Sequence, residues 1–214
     1  MVSNFRDPGS GLSHLIGAIL AIVGFIVMLV TVIPEGNIWQ IISFSVFGIS
    51  LILLYTTSAI YHISNGPKEK IARLRRLDHS MIYVLIAGTY TPICLTLLKG
   101  KTGYVLLALI WALAILGIFL QTLLIKVPRF VYTLIYIVMG WLVIFAFSPL
   151  LEASSLEAIR WLISGGILYS LGALVYARKK PNFIKDWLGF HEIFHIFVIL
   201  GSLSHFIFIF KYCR

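Results

Sequence analysis

His191-Glu192-Ile193-Phe194-His195 sets two imidazoles four residues apart. On a helix they share one face about 6 Å from each other, close enough to grip a single metal ion. The setting gives the pair its weight. The run Leu188–Phe210 is otherwise almost wholly apolar, and ionisable groups inside such a segment are costly enough to be read as functional. A second stripe, Gly48, Leu51, Tyr55, Ser58 and His62, repeats at three and four residues and ends in Ser-x-x-x-His. His62, His191 and His195 together supply three imidazoles, the usual protein contribution to a catalytic zinc whose fourth position stays open for water. Zinc makes a nucleophile of that water near neutral pH. Asp78, one loop from His62, would orient the water or take its proton as general base. Ser58, one turn deeper than His62, would donate a hydrogen bond to a substrate carbonyl or to the outer sphere of a ligand.

Each of these residues also has a plainer use. His14, His79 and His205 read as interhelical hydrogen-bonders. Asp78 can pair with Arg75 or Arg76, or cap the third segment; Ser58 can bond back to the carbonyl of Leu54. The three histidines can form a hydrogen-bonded helix junction with no metal at all. Glu192 reads as an interfacial acid, although His191-Glu192-Ile193-Phe194-His195 also spells the H-E-x-x-H of zinc metalloproteases. That reading needs a downstream ligand. No Asp or Glu follows Glu192, and His205 stands roughly 15 Å farther along the helix. A seven-helix retinal protein is disfavoured as well, because no lysine precedes Lys211 in the last segment to form a Schiff base.

The elements that must position these groups are membrane helices. The chain has 214 residues, 60% of them hydrophobic and 12% charged, with mean hydropathy +0.99. A soluble domain could not cover that much apolar surface with so few charges. Seven runs, at about 12–33, 38–63, 79–98, 103–125, 130–149, 157–177 and 189–210, are each long enough to cross roughly 30 Å of hydrocarbon. The expected architecture is one all-α, seven-helix transmembrane domain over 1–214. The first run is too long for a signal-peptide core and should be retained. Cys94 and Cys213 give no disulfide framework.

The net charge of +9 sits in short loops, so it reads as a topology signal and excludes nucleic acid as a partner. Of seventeen Lys and Arg, twelve fall in the N-terminal tail and the loops after segments two, four and six; these include the basic connection Ser64–Leu77, Lys126, Arg129 and Lys185. The N-terminus is therefore expected in the cytoplasm and the C-terminus outside. In that topology His14, His62, Asp78, His79, His191 and His195 gather at the cytoplasmic helix ends, and only His205 lies at the far side. Trp39, Trp111, Trp161 and Trp187 are the expected interfacial anchors. His14, Gly17, Ala21 and Gly24 share a face of the first segment whose small residues allow a close neighbour.

Several stretches together resemble the bacterial haemolysin III family, within the progestin and adipoQ receptor (adiponectin receptor-like) membrane proteins. They are Ser13-His14-Leu15-Ile16-Gly17, Ser58-Ala59-Ile60-Tyr61-His62, Leu77-Asp78-His79-Ser80 running into Ala87-Gly88-Thr89-Tyr90-Thr91-Pro92, and His191-Glu192-Ile193-Phe194-His195 with Ser204-His205 beyond. The resemblance covers nearly the whole chain. It implies seven helices, a cytoplasmic N-terminus, and a zinc site near the cytoplasmic leaflet held by His62, His191 and His195, with a water on Asp78. It also implies kinship with alkaline ceramidases, and so a hydrolase acting on an amide or ester of a membrane lipid in the bacterial cytoplasmic membrane. The family name implies a rival activity, lysis by pore formation, for which the composition gives little support; a membrane-homeostasis protein with a structural zinc is the other alternative. Hormone reception belongs to a branch with a long N-terminal domain and is not carried over.

Overall fold

The computed structural model describes residues 5–123, 128–184 and 188–214. Lys126, Lys185, Trp187 and the side chain of Arg129 lie outside the described residues. The helices are α1 (Pro8–Val32), α2 (Ile38–Ile63), α3 (Lys68–Pro92), α4 (Lys101–Leu123), α5 (Arg129–Trp141), α6 (Phe147–Ala153), α7 (Leu156–Arg178) and α8 (Phe190–Tyr212). A 3-10 turn at Leu142–Ala146 joins α5 to α6 into one span, and a π turn at Ile93–Leu97 continues α3. Among the described residues, seven spans long and apolar enough to cross a membrane result. The chain is a multi-pass membrane protein, all-helical among the described residues.

Local chemistry sets the helix ends. Asn37 caps α2, its side-chain oxygen accepting from Trp39 N at 3.1 Å. Gly36 (φ 70°) makes the left-handed turn between α1 and α2 that a side chain would resist. Pro8 opens α1, where the missing N–H costs nothing. Pro92 removes a donor from α3, and the π turn begins one residue later.

The third helix departs from expectation. It begins at Lys68 rather than near residue 79, so the connection from α2 is only Ser64–Pro67. Pro67 and Glu69 suit a helix start. Ile71, Leu74 and Asp78 then turn inward while Lys68, Lys70, Arg73 and Arg75 stay exposed. Hydropathy fell at the basic residues, but helicity did not. The whole span of 30 residues is about 45 Å long, more than the hydrocarbon needs, so its basic turns emerge at the interface. Asp78 is consequently no helix cap; it sits about 15 Å into α3. Trp111 is a second correction: it lies in the middle of α4, partly buried, its indole N–H donating to Thr91 Oγ1 at 3.2 Å, so a neighbouring helix rather than an interface satisfies the indole.

Polar side chains tie the bundle where lipid offers no partner. Tyr55 of α2 donates to Ser202 Oγ of α8 at 2.7 Å, and Tyr169 of α7 meets the same oxygen at 2.7 Å. Tyr90 of α3 serves the break between α5 and α6: its hydroxyl donates toward the carbonyls of Met139 and Gly140 and accepts from Val143 N at 2.8 Å. The α5–α6 span is otherwise the least buried of the seven. Close approach of α1 to α2 requires Gly17, where a Cβ would fall 2.7 Å from the Tyr55 ring. Gly17→Leu is expected to push Tyr55 off Ser202 and destabilise the bundle by about 1–3 kcal/mol. A thermal melt of the detergent-purified variant reads this directly, and an unshifted midpoint contradicts the packing.

Candidate metal centre

α2 ends, and α1 and α8 begin, at one end of the bundle, and three histidines meet there. His62, in the last turn of α2, and His195, in the second turn of α8, are 2% and 1% exposed; His191 is partly buried one turn before His195. One ligand atom from each lies within 4.8 Å of the others, so the three can hold a metal ion. The Nε2 atoms of His62 and His191 stand 3.1 Å apart.

The opposite ring nitrogens decide what faces inward. His62 Nδ1 lies 3.1 Å from Asp7 Oδ2, and His195 Nδ1 lies 3.2 Å from the carbonyl of Ser10. Both partners only accept, and the Ser13 hydroxyl 3.3 Å from His195 Nδ1 gives its own proton to the Ser10 carbonyl, so each of these two imidazoles donates from Nδ1 and turns a bare Nε2 lone pair toward the centre. Lone pairs converging in an apolar bundle repel unless a proton or cation stands between them. The donor set, neutral nitrogens oriented from outside by a carboxylate and a carbonyl, fits a transition-metal ion. Asp7, just ahead of the membrane span, is held at a pKa of about 2 by the hydrogen bond from His62 and by Arg6, against the upward push of partial burial.

Asp78 and Ser58 sit beside this cluster. The Asp78 carboxylate is buried, accepts a hydrogen bond from Ser58, and lies within electrostatic reach of His62. The readings of Asp78 as a cap or an interfacial ion pair, and of Ser58 as bonding only to its own helix, therefore give way to a contact between the two. Asp78, Ser58, His191 and His195 all line one cavity of about 140 Å³ whose walls are mostly apolar and run between α3, α5, α7 and α8. Glu192 turns away from the centre. It accepts from Ser10 Oγ at 2.5 Å and from Gly189 N at 2.9 Å, so it caps α8 and is not placed as a protease base.

The remaining histidines divide. His79 pairs with Gln121 Nε2 at 3.3 Å, and His205 Nε2 donates to the carbonyl of Leu162 at 3.1 Å; both are interhelical bonds. His14 overturns the same expectation. Neither of its nitrogens has a hydrogen-bond partner among the described residues, and its ring stacks on His195 with centroids 3.5 Å apart. Stacking, which needs only a flat neighbour, takes the place of the polar contact. Sequence reasoning also missed Asp7 and Ser10. An acid and a serine just before the first apolar run are the usual dress of a helix start, and nothing in their spacing announces a partner 55 or 185 residues away.

Residues 2–206 match the family described as haemolysin-III related. The chain belongs to that family. It is 40% identical over 208 residues to the Hemolysin-3 homolog of Bacillus subtilis (strain 168), covering 97% of this chain and 94% of that protein. Against Hemolysin-3 of Bacillus cereus the identity is 41% over 204 residues, 94% of this chain and 89% of the relative. The human monocyte to macrophage differentiation factor is 26% identical over 185 residues, 83% of this chain and 73% of that protein, which supports the wider kinship with the progestin and adipoQ receptor proteins.

Elemental mass spectrometry of protein purified without chelator is expected to find about one transition-metal ion per chain, lost in His62→Ala and His195→Ala. A folded wild type with no metal contradicts the site. The Asp7 carboxylate is expected to titrate near 2 rather than at 3.8. Its folded value is depressed, so its contribution to stability is present above 3.8 and is lost as pH falls toward 2. Carbon-13 NMR of labelled aspartate follows that midpoint; a value at or above 3.8 contradicts the His62 contact.

Proposed function

We propose that this chain is a zinc-dependent hydrolase of a membrane-lipid amide or ester. On this reading it is a single seven-helix domain of the bacterial cytoplasmic membrane, with N-terminus and metal centre on the cytoplasmic side. The observation that carries the reading is the juxtaposition of three inward-facing imidazoles with a buried carboxylate, Asp78, on the wall of an apolar cavity. A structural metal site has no need of a buried carboxylate beside it or of a cavity leading to it.

A zinc ion held by His62, His191 and His195 supplies Lewis acidity and brings water to a reactive pKa near neutrality. The protein's own groups do the rest. The apolar walls between α3 and α8 take the lipid chain out of the bilayer and exclude bulk water from the reacting carbonyl. Asp78 accepts the proton of the attacking water and returns it to the departing amine or alkoxide. Ser58, by donating to Asp78, holds the carboxylate in the orientation that receives this proton and acts through it. The basic turns of α3 and the Arg178–Lys180 stretch lie at the same end of the bundle as the histidines, the end expected to face the cytoplasm.

The test is turnover of a panel of lipid amides and esters by purified protein, wild type beside Asp78→Asn. The variant is expected to keep its metal and lose roughly 10²–10⁴-fold in rate, the usual share of a general base. Metal retained with no turnover by the wild type on any member of the panel would favour a structural ion. Equal turnover by wild type and variant would remove Asp78 from the chemistry.

A further inference from the structure

Asp7 is the N-cap residue of α1, yet its side chain makes no cap hydrogen bond to its own helix. An aspartate in that position ordinarily satisfies one of the free N–H groups of the first turn. Here the carboxylate turns the other way and accepts from His62 Nδ1 at 3.1 Å, while the Asp7 backbone N–H donates to the His62 carbonyl at 3.0 Å. Arg6 holds the arrangement from outside: its Nε donates to Asp7 Oδ2 at 2.9 Å, and its guanidinium lies 4.1 Å from the centre of the Tyr61 ring. Three residues on, the Ser10 carbonyl takes the Nδ1 proton of His195, and the Ser10 hydroxyl donates to Glu192, next to His191. The segment Arg6–Ser10 thus contacts Tyr61, His62, His195 and Glu192, the neighbour of His191.

We infer that this N-terminal hook is part of the metal centre, with Asp7 a positioning residue that sets metal affinity through His62. The inference rests on the metal reading of the histidine cluster. A carboxylate behind a ligating imidazole fixes its tautomer and raises the basicity of the inward nitrogen, and loss of such a partner ordinarily weakens metal binding by about 10–100-fold. Coupling of this kind is reciprocal. If the docked hook strengthens metal binding, the bound metal must hold the hook in place to the same extent.

The experiment is a zinc titration of the full chain in detergent against a chelator of known affinity, repeated with Asp7→Ala, Asp7→Asn and Asp7→Glu. Asp7→Ala is expected to bind about 10–100-fold more weakly. Asp7→Asn, whose amide oxygen still accepts from Nδ1 but carries no charge, should fall between alanine and wild type, and Asp7→Glu should recover most of the loss. The visible spectrum of the cobalt(II)-substituted protein is expected to shift in Asp7→Ala, since the His62 ring is then free to turn. Hydrogen exchange should show the Asp7 and Gly11 amides slowing when zinc is added to the wild type. An affinity for Asp7→Ala within twofold of wild type overturns the inference and leaves the metal centre standing. Should Asp7→Ala fail to fold, Asp7→Asn decides on the same twofold threshold. A wild type that takes up no zinc overturns both the metal reading and the inference built on it.

Discussion

Three imidazoles converging inside an apolar bundle, two of them turned so that a bare Nε2 faces the centre, form the constraint on which the rest of this structure depends. In water each such nitrogen would find a donor; in hydrocarbon it draws on the other rings of the cluster, as His62 Nε2 has His191 Nε2 at 3.1 Å, or on a cation held between them. The fold brings them together by three routes at once: the end of α2 carries His62, the first turns of α8 carry His191 and His195, and the start of α1 supplies the Asp7 and Ser10 acceptors that turn the rings. Those acceptors matter as much as the histidines. Without them either ring could present its N–H inward, and the cluster would satisfy itself by hydrogen bonding.

The same accounting explains the polar contacts far from the centre. Tyr90 bridges the carbonyls and amide left by the break in the fifth span, and Ser202 receives the hydroxyls of Tyr55 and Tyr169 from two other helices. Each is a case of a polar group that cannot be left to lipid being used to join helices. They hold α2, α7 and α8 at a fixed separation along the wall of the cavity that reaches Asp78. The haemolysin-III-related family includes relatives named for haemolysis. The buried histidines, the carboxylate and the largely apolar cavity beside them are the features on which the proposed hydrolase reading rests.

Helical phase was enough to show Ser58 and His62 on one stripe and His191 and His195 on another, because a period of 3.6 is a property of the local chain. Hydropathy was enough for seven spans. It misplaced the start of α3 by eleven residues, since lysines and arginines on one side of a helix lower the average without stopping the helix. It also set Trp111 at an interface, because composition reports that an indole wants a polar partner but not whether Thr91 or a lipid headgroup provides it.

What the sequence determined by itself is the class of the molecule and its stock of reactive groups: a membrane bundle, histidines and a serine at spacings that put them on inward faces, and an aspartate near them in the chain. Periodicity and burial cost are local, and they act on every residue in the same way. Only the tertiary structure decided which way each ring faces. The contact of Asp7 with His62, the carbonyl of Ser10 under His195, the stacking of His14 and the turning away of Glu192 all join residues far apart in the chain. Such pairings depend on how three helix ends converge, and no spacing within a single segment encodes that convergence.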